Sequence, residues 1–412
     1  ITTKRGSSET PRISYAGYYG ISQVSKKIDL LDAWEFATMF KEARDGSYLY
    51  SVPIGSISDP YSSRPQTYHR SDDFVDAYLM DTQHLLPNTD WQDAIFRLAH
   101  STRHALSVSD KTRTVSYYVG ANYLYRQGTI INSDYTRYSA RANVDGQKGR
   151  FKFGMSISPS YSAEHFVDAE AQYNGDGVVG SALMAPPIFP VYNDDGSYNW
   201  QMNGYLRKHR WDTQCNEVLN PVALATEVKD FREKVSVIGN AYASIEFIKG
   251  LEYKLSLGGD YYGYARDFYR PTILPLRGNK YIEVTSDAQL EIDPTLPRAT
   301  AVLSQPRANA WSYHYFHWNI VNQLSYSHKW GDHFLSAVAV YEAEKKINRT
   351  MSIQGDGTVG DDKIQTTKGV TYDIQETLNN KTSYGFDSWL LRAQYSWKGR
   401  YMVSASVRGD RC

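Results

Sequence analysis

Residues 388–407 read SWLLRAQYSWKGRYMVSASV, and the period of that stretch decides the fold class. Trp389, Leu391, Ala393, Tyr395 and Trp397 alternate with Ser388, Arg392, Gln394, Ser396 and Lys398. After the polar turn at 397–400, Tyr401, Val403, Ala405 and Val407 carry the apolar phase onward. A period of two is the signature of a strand. Small aliphatics in mid-strand, with aromatics at both ends, fit a lipid-facing strand whose amphipathic rings sit at the two membrane interfaces. A half-buried strand of a soluble antiparallel β-protein has the same period. One hairpin does not separate the two.

The rest of the chain does. Residues 151–158 place Phe151, Phe153, Met155 and Ile157 on one face and Lys152, Gly154, Ser156 and Ser158 on the other. The pair at 235–261 repeats the scheme, with Val235, Val237, Ala241, Ile245, Leu255 and Leu257 on the apolar side. About eleven such segments are readable, joined alternately by clipped turns and long excursions. The turns fall at 109–113, 145–150, 249–252, 330–333 and 397–400. The long connections fall at 25–103, 162–232, 268–308 and 348–383, with a shorter one at 126–134. Short turns at one end and long loops at the other are the habit of a bacterial outer-membrane barrel. A soluble sandwich has no reason for that asymmetry. The fold class is therefore all-β.

Composition is consistent with a barrel. Formal net charge is zero over 412 residues, so no nucleic-acid partner is indicated. No stretch approaches the roughly 18 apolar residues of a transmembrane helix, which is no argument against barrel strands. Tyrosine is abundant: 34 Tyr and 9 Trp against 14 Phe. Aromatics with a polar tip suit a membrane interface or a surface that contacts sugars or peptides. Of the two cysteines, Cys215 falls in a long connection and Cys412 at the last position; neither a disulfide framework nor a metal site is indicated.

One helical segment is expected at about 30–44, with Asp32 and Glu35 as a capping box, Leu30, Ala33, Ala37 and Phe40 on one face, and Gly46 as the stop. It decorates the first long connection or docks a partner. No catalytic chemistry emerges. His314 and His317 are three apart in a strand and point to opposite faces. The segments 192–198 and 355–362 lack the spacing of an EF-hand loop and read as tight turns. GDGTVG lacks the lysine of a phosphate cradle, and no nucleophile elbow is present. No enzyme, cofactor or metal is expected.

Several stretches resemble the SusC/RagA-type TonB-dependent transporters of the Bacteroidetes. The opening ITTKRG is similar to the segment that closes that family's plug domain. Asn88–Thr89–Asp90–Trp91–Gln92–Asp93, running through Ile95–Phe96–Arg97 to Leu106–Ser107–Val108–Ser109, resembles another of its stretches. So do Tyr117–Tyr118–Val119–Gly120, Gln127–Gly128–Thr129–Ile130, Ser133–Asp134–Tyr135, Arg137–Tyr138–Ser139, residues 186–198 (PPIFPVYNDDGSY), Asn220–Pro221–Val222–Ala223 and the pair 239–259. Asp110 stands where the family usually turns with glycine, which asks more of that turn.

The resemblance implies a 22-stranded barrel, of which eleven strands are the N-terminal half. Residues 1–10 then end the plug and 11–412 form the first half of the barrel, an internal piece of a longer protein. The implied activity is active import of a large nutrient, oligosaccharide or peptide, across the outer membrane. The implied partners are a SusD-like surface lipoprotein, TonB acting through the plug, and outer-membrane lipid. The loop 186–211 offers Tyr192, Asp194, Asp195, Tyr198 and Trp200 as residues that touch ligand or seat the lipoprotein lid. Trp389, Tyr395, Trp397 and Tyr401 are the expected membrane-girdle aromatics. A passive porin, or a soluble carbohydrate-binding module, remains open on the strand pattern. The uncharged outer faces of 151–157 and 389–397 speak against the module.

Overall fold

The computed structural model describes all residues except 1–9, 61–62, 65–72, 171–176, 201, 203–217, 275–281, 285–298, 302–305, 357–364, 370 and 373–376. Its frame is eleven long strands: β1 (Arg12–Ser22), β2 (Ala99–Lys111), β3 (Val115–Gln127), β4 (Asp134–Lys148), β5 (Phe151–His165), β6 (Lys229–Ile248), β7 (Leu251–Arg270), β8 (Arg307–Trp330), β9 (His333–Asp356), β10 (Leu378–Trp397) and β11 (Tyr401–Arg411). They lie side by side in chain order, every neighbour antiparallel. The sheet is open, with β1 and β11 as its edges. This is the half-barrel that the strand count calls for. Thr371–Tyr372 adds a two-residue rung to β9, and Ile282–Val284 pairs with Ala299–Ala301 as a separate small ladder.

The turn chemistry explains the clipped ends. Gly149, Gly250, Gly331 and Gly399 all have positive φ, as the mirror-type hairpin turns require. Gly250 shows why no other residue fits. Its φ is +87°, and an added Cβ would stand 2.0 Å from the Ser327 carbonyl oxygen on β8. The remaining turn, 112–114, is closed by Thr112, whose amide and hydroxyl both bond to the Val115 carbonyl. Asp110 lies inside β2, opposite Tyr117, so it takes no part in the turn. Its departure from the family pattern asks nothing of the backbone there.

Register assigns the faces. Tyr341, Trp389 and Gly409 are successive partners, as are Ala339, Leu391 and Val407, and Leu335, Tyr395 and Val403. The same phase runs through Leu257, Ile320 and Ala343. Leu257, Leu324, Leu391 and Val407 are all exposed. This face is an apolar band. Aromatics bound it on both sides. Next to the short turns, Tyr326, His328, Trp330, His333 and Tyr395 stack in sequence at 5.7–6.2 Å, and Trp397 stacks on Tyr401 at 5.7 Å. Toward the loop end, His104, Tyr123 and Tyr138 line up at 6.3 and 5.1 Å, and Tyr138 pairs in register with Tyr161.

The opposite face is polar and internally bonded. Arg103 donates to Asn122 at 2.6 Å, Arg141 to Ser158 at 3.1 Å, Ser156 to Asn143 at 2.6 Å and Lys152 to Glu252 at 3.3 Å. The strands from β6 to β10 are 20 or 24 residues long. Crossing a bilayer needs about 9–11. Because one aromatic belt adjoins the short turns, the surplus length projects at the loop end.

The buried core belongs to the connections. Among the described residues five helices decorate them: α1 (Ala33–Ser51), α2 (Asp73–Met80), α3 (Trp91–Ile95), α4 (Val178–Met184) and α5 (Pro221–Glu227). Ala33, Ala37, Val75, Ile95, Val178, Phe189 and Leu274 pack into one apolar cluster. The Asp32–Glu35 capping box forms as the sequence predicts. The helix does not stop at Gly46, however; it runs to Ser51, where the Val52 amide bonds to the Tyr48 carbonyl. Tyr48 and Asp45 are buried on that last stretch, so tertiary contacts outweigh the cost of a mid-helix glycine, about 1 kcal/mol. Leu30 falls outside the helix and is exposed, leaving Ala33 and Ala37 as the buried stripe.

Candidate functional site

Several of the stretches that carry the family resemblance meet in one place. Trp91 is buried, and its indole Nε1 donates to the Pro186 carbonyl at 3.0 Å. The Thr89 hydroxyl donates to the Phe189 carbonyl at 2.7 Å, and the Tyr78 hydroxyl reaches the Ile188 carbonyl at 3.0 Å. Gln92 exchanges two hydrogen bonds with the backbone of Ile28, and Asp90 caps α3. Arg97 ties the 127–133 turn through the carbonyls of Gly128 and Ser133. Asn220, fully buried, caps α5 and donates to the Val191 carbonyl at 2.8 Å, while Asn132 donates to Ala225. Three connections, 23–98, 128–133 and 166–228, are thereby stapled into one body at the loop end of the sheet. These motif residues are scaffold.

Electrostatics reinforce the scaffold. Burial works against an ionised Asp45, yet Arg64 at 2.7 Å and Lys41 at 2.9 Å hold its carboxyl below the usual range. Burial and the nearby Asp81 charge push the Tyr78 hydroxyl up to about 12. Lys27 pairs with Asp93, and with Asp90 at 3.4 Å.

The five loop candidates are close in space but differ in duty. Tyr192 and Tyr198 form a bridge across a hairpin tip whose chain reverses at Gly196, φ +81°. Asp195 accepts from the Ser197 hydroxyl at 2.6 Å and its amide at 2.9 Å, which keeps its carboxyl below the usual range and closes the turn. Tyr198 donates to Glu227 at 2.8 Å; burial, with Glu227 adding to it against Thr226, raises its hydroxyl to about 12. Trp200 is half-buried against the loop core. Tyr192, Asp194 and Asp195 are the three exposed members, and of these Asp195 is engaged in closing the turn. The rest of the stretch, at 201 and 203–211, falls outside the described residues, as do ITTKRG, Cys215 and residues 357–362.

Two cavities flank the loop body. One, of about 580 Å³, lies between the approach to α1, the Asn88–Gln92 stretch and the Ala182–Pro187 segment. The second, of about 340 Å³, is walled by Phe166, Val178 and Leu224 from the loop body and by strand tops of β6 to β9. Its strand residues share the polar inner face: Asp230 and Arg232 on β6, Arg266 and Arg270 on β7, Arg307 on β8. The Asp230 carboxylate is gripped by both Arg232 and Arg266 at 2.8–3.1 Å, each through two nitrogens. None of these residues stands out in the sequence, where they are scattered singly; register brings them together.

Chemistry of another kind is not assembled. Among the described residues no three His, Cys, Asp or Glu side chains converge on a metal-sized site. His317 faces inward to Glu344 at 3.3 Å, and His314 lies on the other face.

No family model matches the chain. Curated relatives do. TonB-dependent receptor P3 of Formosa agariphila is 28% identical across the whole chain, which spans 34% of that protein. TonB-dependent receptor SusC of Bacteroides thetaiotaomicron is 25% identical over 63% of the chain, covering 24% of that protein. Among solved structures, the RagAB peptide transporter superposes on 99% of the chain and 43% of its own, with a TM-score of 0.64 and 18% identity. The chain is similar along its whole length to TonB-dependent receptors, and SusC is among its relatives. It spans about a third of the length of the P3 receptor that it matches end to end. With that likeness the open sheet matches half of a barrel wall, and the motif residues Thr89, Trp91, Gln92, Arg97 and Asn220 are staples of the loop body.

Proposed function

We propose that this chain supplies wall and loops to an outer-membrane importer that takes up a large nutrient, oligosaccharide or peptide, with TonB as the energy source. One observation carries the reading: an open sheet, apolar and belted on one face and polar on the other, bears a stapled loop body at one end. Lipid suits the first face and a ligand passage the second. In this reading residues 1–10 end the plug and 11–412 form the first half of the barrel. Trp389 sits at one interface and Tyr395, Trp397 and Tyr401 at the other. From Trp389 to Trp397 the strand rises about 26 Å, the height of an outer-membrane apolar band, about 25 Å.

A SusD-like lipoprotein is the proposed lid over the loops. Tyr192 and Asp194 are the proposed contacts, for ligand or for lid, while Asp195, Tyr198 and Trp200 hold their hairpin in place. The solved relative named as a peptide transporter supports peptide as one cargo.

The test is deletion of the complete gene in its native host, followed by uptake of glycans and peptides as sole nutrients. Loss of growth on at least one of them, restored by the gene but not in a TonB-deficient strain, is expected. Unchanged uptake of every nutrient would contradict the import reading, and restoration without TonB would point to a passive porin.

A further inference from the structure

We propose that the strip of aromatic rings on the inner face of β7 and β8 is a docking surface for the sugar rings of an oligosaccharide cargo. The proposal rests on the import reading and chooses between the two cargo classes which that reading leaves open. Its first support is register. Tyr313 is the direct partner of Tyr264, and Tyr315 of Tyr262, while Trp311 continues the row one step nearer the loops. All five fall on the polar inner phase. Tyr261 and Phe316, the partners on the adjoining rung, are exposed on the outer face. Ring centroids lie 6.1–6.2 Å apart down β8. Tyr264 is 4.9 Å from Trp311, and Tyr262 is 5.7 Å from Tyr315. The five rings pave one continuous strip.

Its second support is how the rings are held. The Tyr315 hydroxyl donates to Asp260 on β7 at 2.9 Å, and the Tyr313 hydroxyl to Asn348 on β9 at 3.5 Å. Each tether runs sideways to the next strand, so the ring leans over the wall and turns a face toward the passage. The Lys346 ammonium stands 4.2 Å from the Tyr315 centroid, so a group on that side reaches the ring face. Ser236 on β6 and Thr350 and Ser352 on β9 flank the strip in register. A pyranose suits this combination. Its C–H face packs on aromatic rings, and its rim of hydroxyls bonds to the hydroxyls and amides beside them.

Its third support is the backbone. Extended peptides are captured by main-chain bonding to an exposed strand edge, with pockets for alternate side chains. Along this strip β7 and β8 are paired on both sides, so their main-chain groups are spent in the ladder. What faces the passage is side chain. Position agrees. Trp311–Tyr315 lie in the loop-end half of β8, a strand of 24 residues. The crossing that starts at the Trp330 belt needs only about 9–11 residues. The strip therefore stands above the apolar band, on the route in from the loops.

The experiment uses the complete transporter with its lid, in detergent. Malto-, xylo-, manno- and laminari-oligosaccharides and a casein peptide digest are titrated by calorimetry, with tryptophan fluorescence followed alongside. At least one saccharide is expected to bind and to change the fluorescence through Trp311. Trp311→Leu with Tyr313→Leu keeps apolar bulk but removes two rings. It should weaken that binding about four- to a hundredfold, or about two- to tenfold per ring. If the double variant does not fold, Tyr313→Leu alone serves, with the single-ring loss expected. Trp311→Phe should keep most of the affinity and lose the fluorescence change. Tyr261→Leu with Phe316→Leu, on the outer face, should leave affinity unchanged. Binding of the peptide digest alone, binding of no saccharide, or saccharide binding that Tyr313→Leu leaves unchanged would overturn the proposal. Uptake of peptide alone would overturn it too while leaving the import reading intact.

Discussion

The indole nitrogen of Trp91 and the carbonyl oxygen of Pro186 are 95 residues apart in sequence and 3.0 Å apart in space. That bond joins the first long connection to the third; Trp91 belongs to the core that the loops share, and Pro186 is buried next to its member Ala185. Trp91→Phe keeps most of the ring but leaves the buried carbonyl without its donor. It is expected to destabilise the loop body by about 1–3 kcal/mol, and Trp91→Ala by about 3–5 kcal/mol. Limited proteolysis of the complete protein in outer-membrane vesicles reads this out. Cleavage should appear in 23–98 and 166–228 while the strands stay protected.

The Asp45–Arg64 pair is almost wholly buried. Removing Arg64 leaves the buried Asp45 carboxylate still paired with Lys41, so the cost falls below the roughly 3–5 kcal/mol of a fully stranded charge. Arg64→Ala should therefore free the end of α1. The folded-state pKa of Asp45 is depressed. Its stabilisation is thus present above the ordinary aspartate value, about 3.9, and is lost as pH falls through the lower folded value. Asp45→Asn should flatten the acid limb of a proteolysis-versus-pH profile. A profile identical to that of the unaltered protein would remove Asp45 from the account.

Gly250 can accept no side chain. Gly250→Ala meets a strained backbone and the Ser327 carbonyl at once. It should cost well over the roughly 1 kcal/mol of a simple left-handed residue. Gly259, with open space around its missing Cβ, is the control. Heat-modifiability on gels compares the two, and only Gly250→Ala should lower the transition.

Tyr192 and Asp194 are exposed at the hairpin tip, and Asp195 closes its turn. Tyr192→Ala with Asp194→Asn should weaken capture of ligand or lid at least several-fold in a surface-binding assay, without loss of protease resistance. Asp195→Asn should loosen the tip itself.

The strands were legible because a period of two survives in any environment that wets one face. Ser388–Trp397 shows it within ten residues. Turn positions were legible because Gly149, Gly250, Gly331 and Gly399 mark them. The loop body was not, since its staples join residues such as Thr89 and Phe189, 100 positions apart. Gly46 misled for a related reason: a local stop signal gave way to the burial of Asp45 and Tyr48. The inner aromatic strip had a signal that went unread. Tyr262, Tyr264, Trp311, Tyr313 and Tyr315 fall on the polar phase of their strands, where a period-two reading expects Ser, Asn or charge. Asp230 and its arginines had none, because only the register of β6, β7 and β8 makes them neighbours.

The central claim is that this sheet is barrel wall, with odd-numbered residues of β10 toward lipid and even-numbered ones toward the interior. Nitroxide labels at single cysteines from 388 to 397, in the complete protein in bilayers, test it through collision with oxygen and with a water-soluble nickel chelate. Oxygen accessibility should peak at 389, 391, 393, 395 and 397, and nickel accessibility at the positions between. Accessibility without a period of two, or with the opposite phase, would contradict the account.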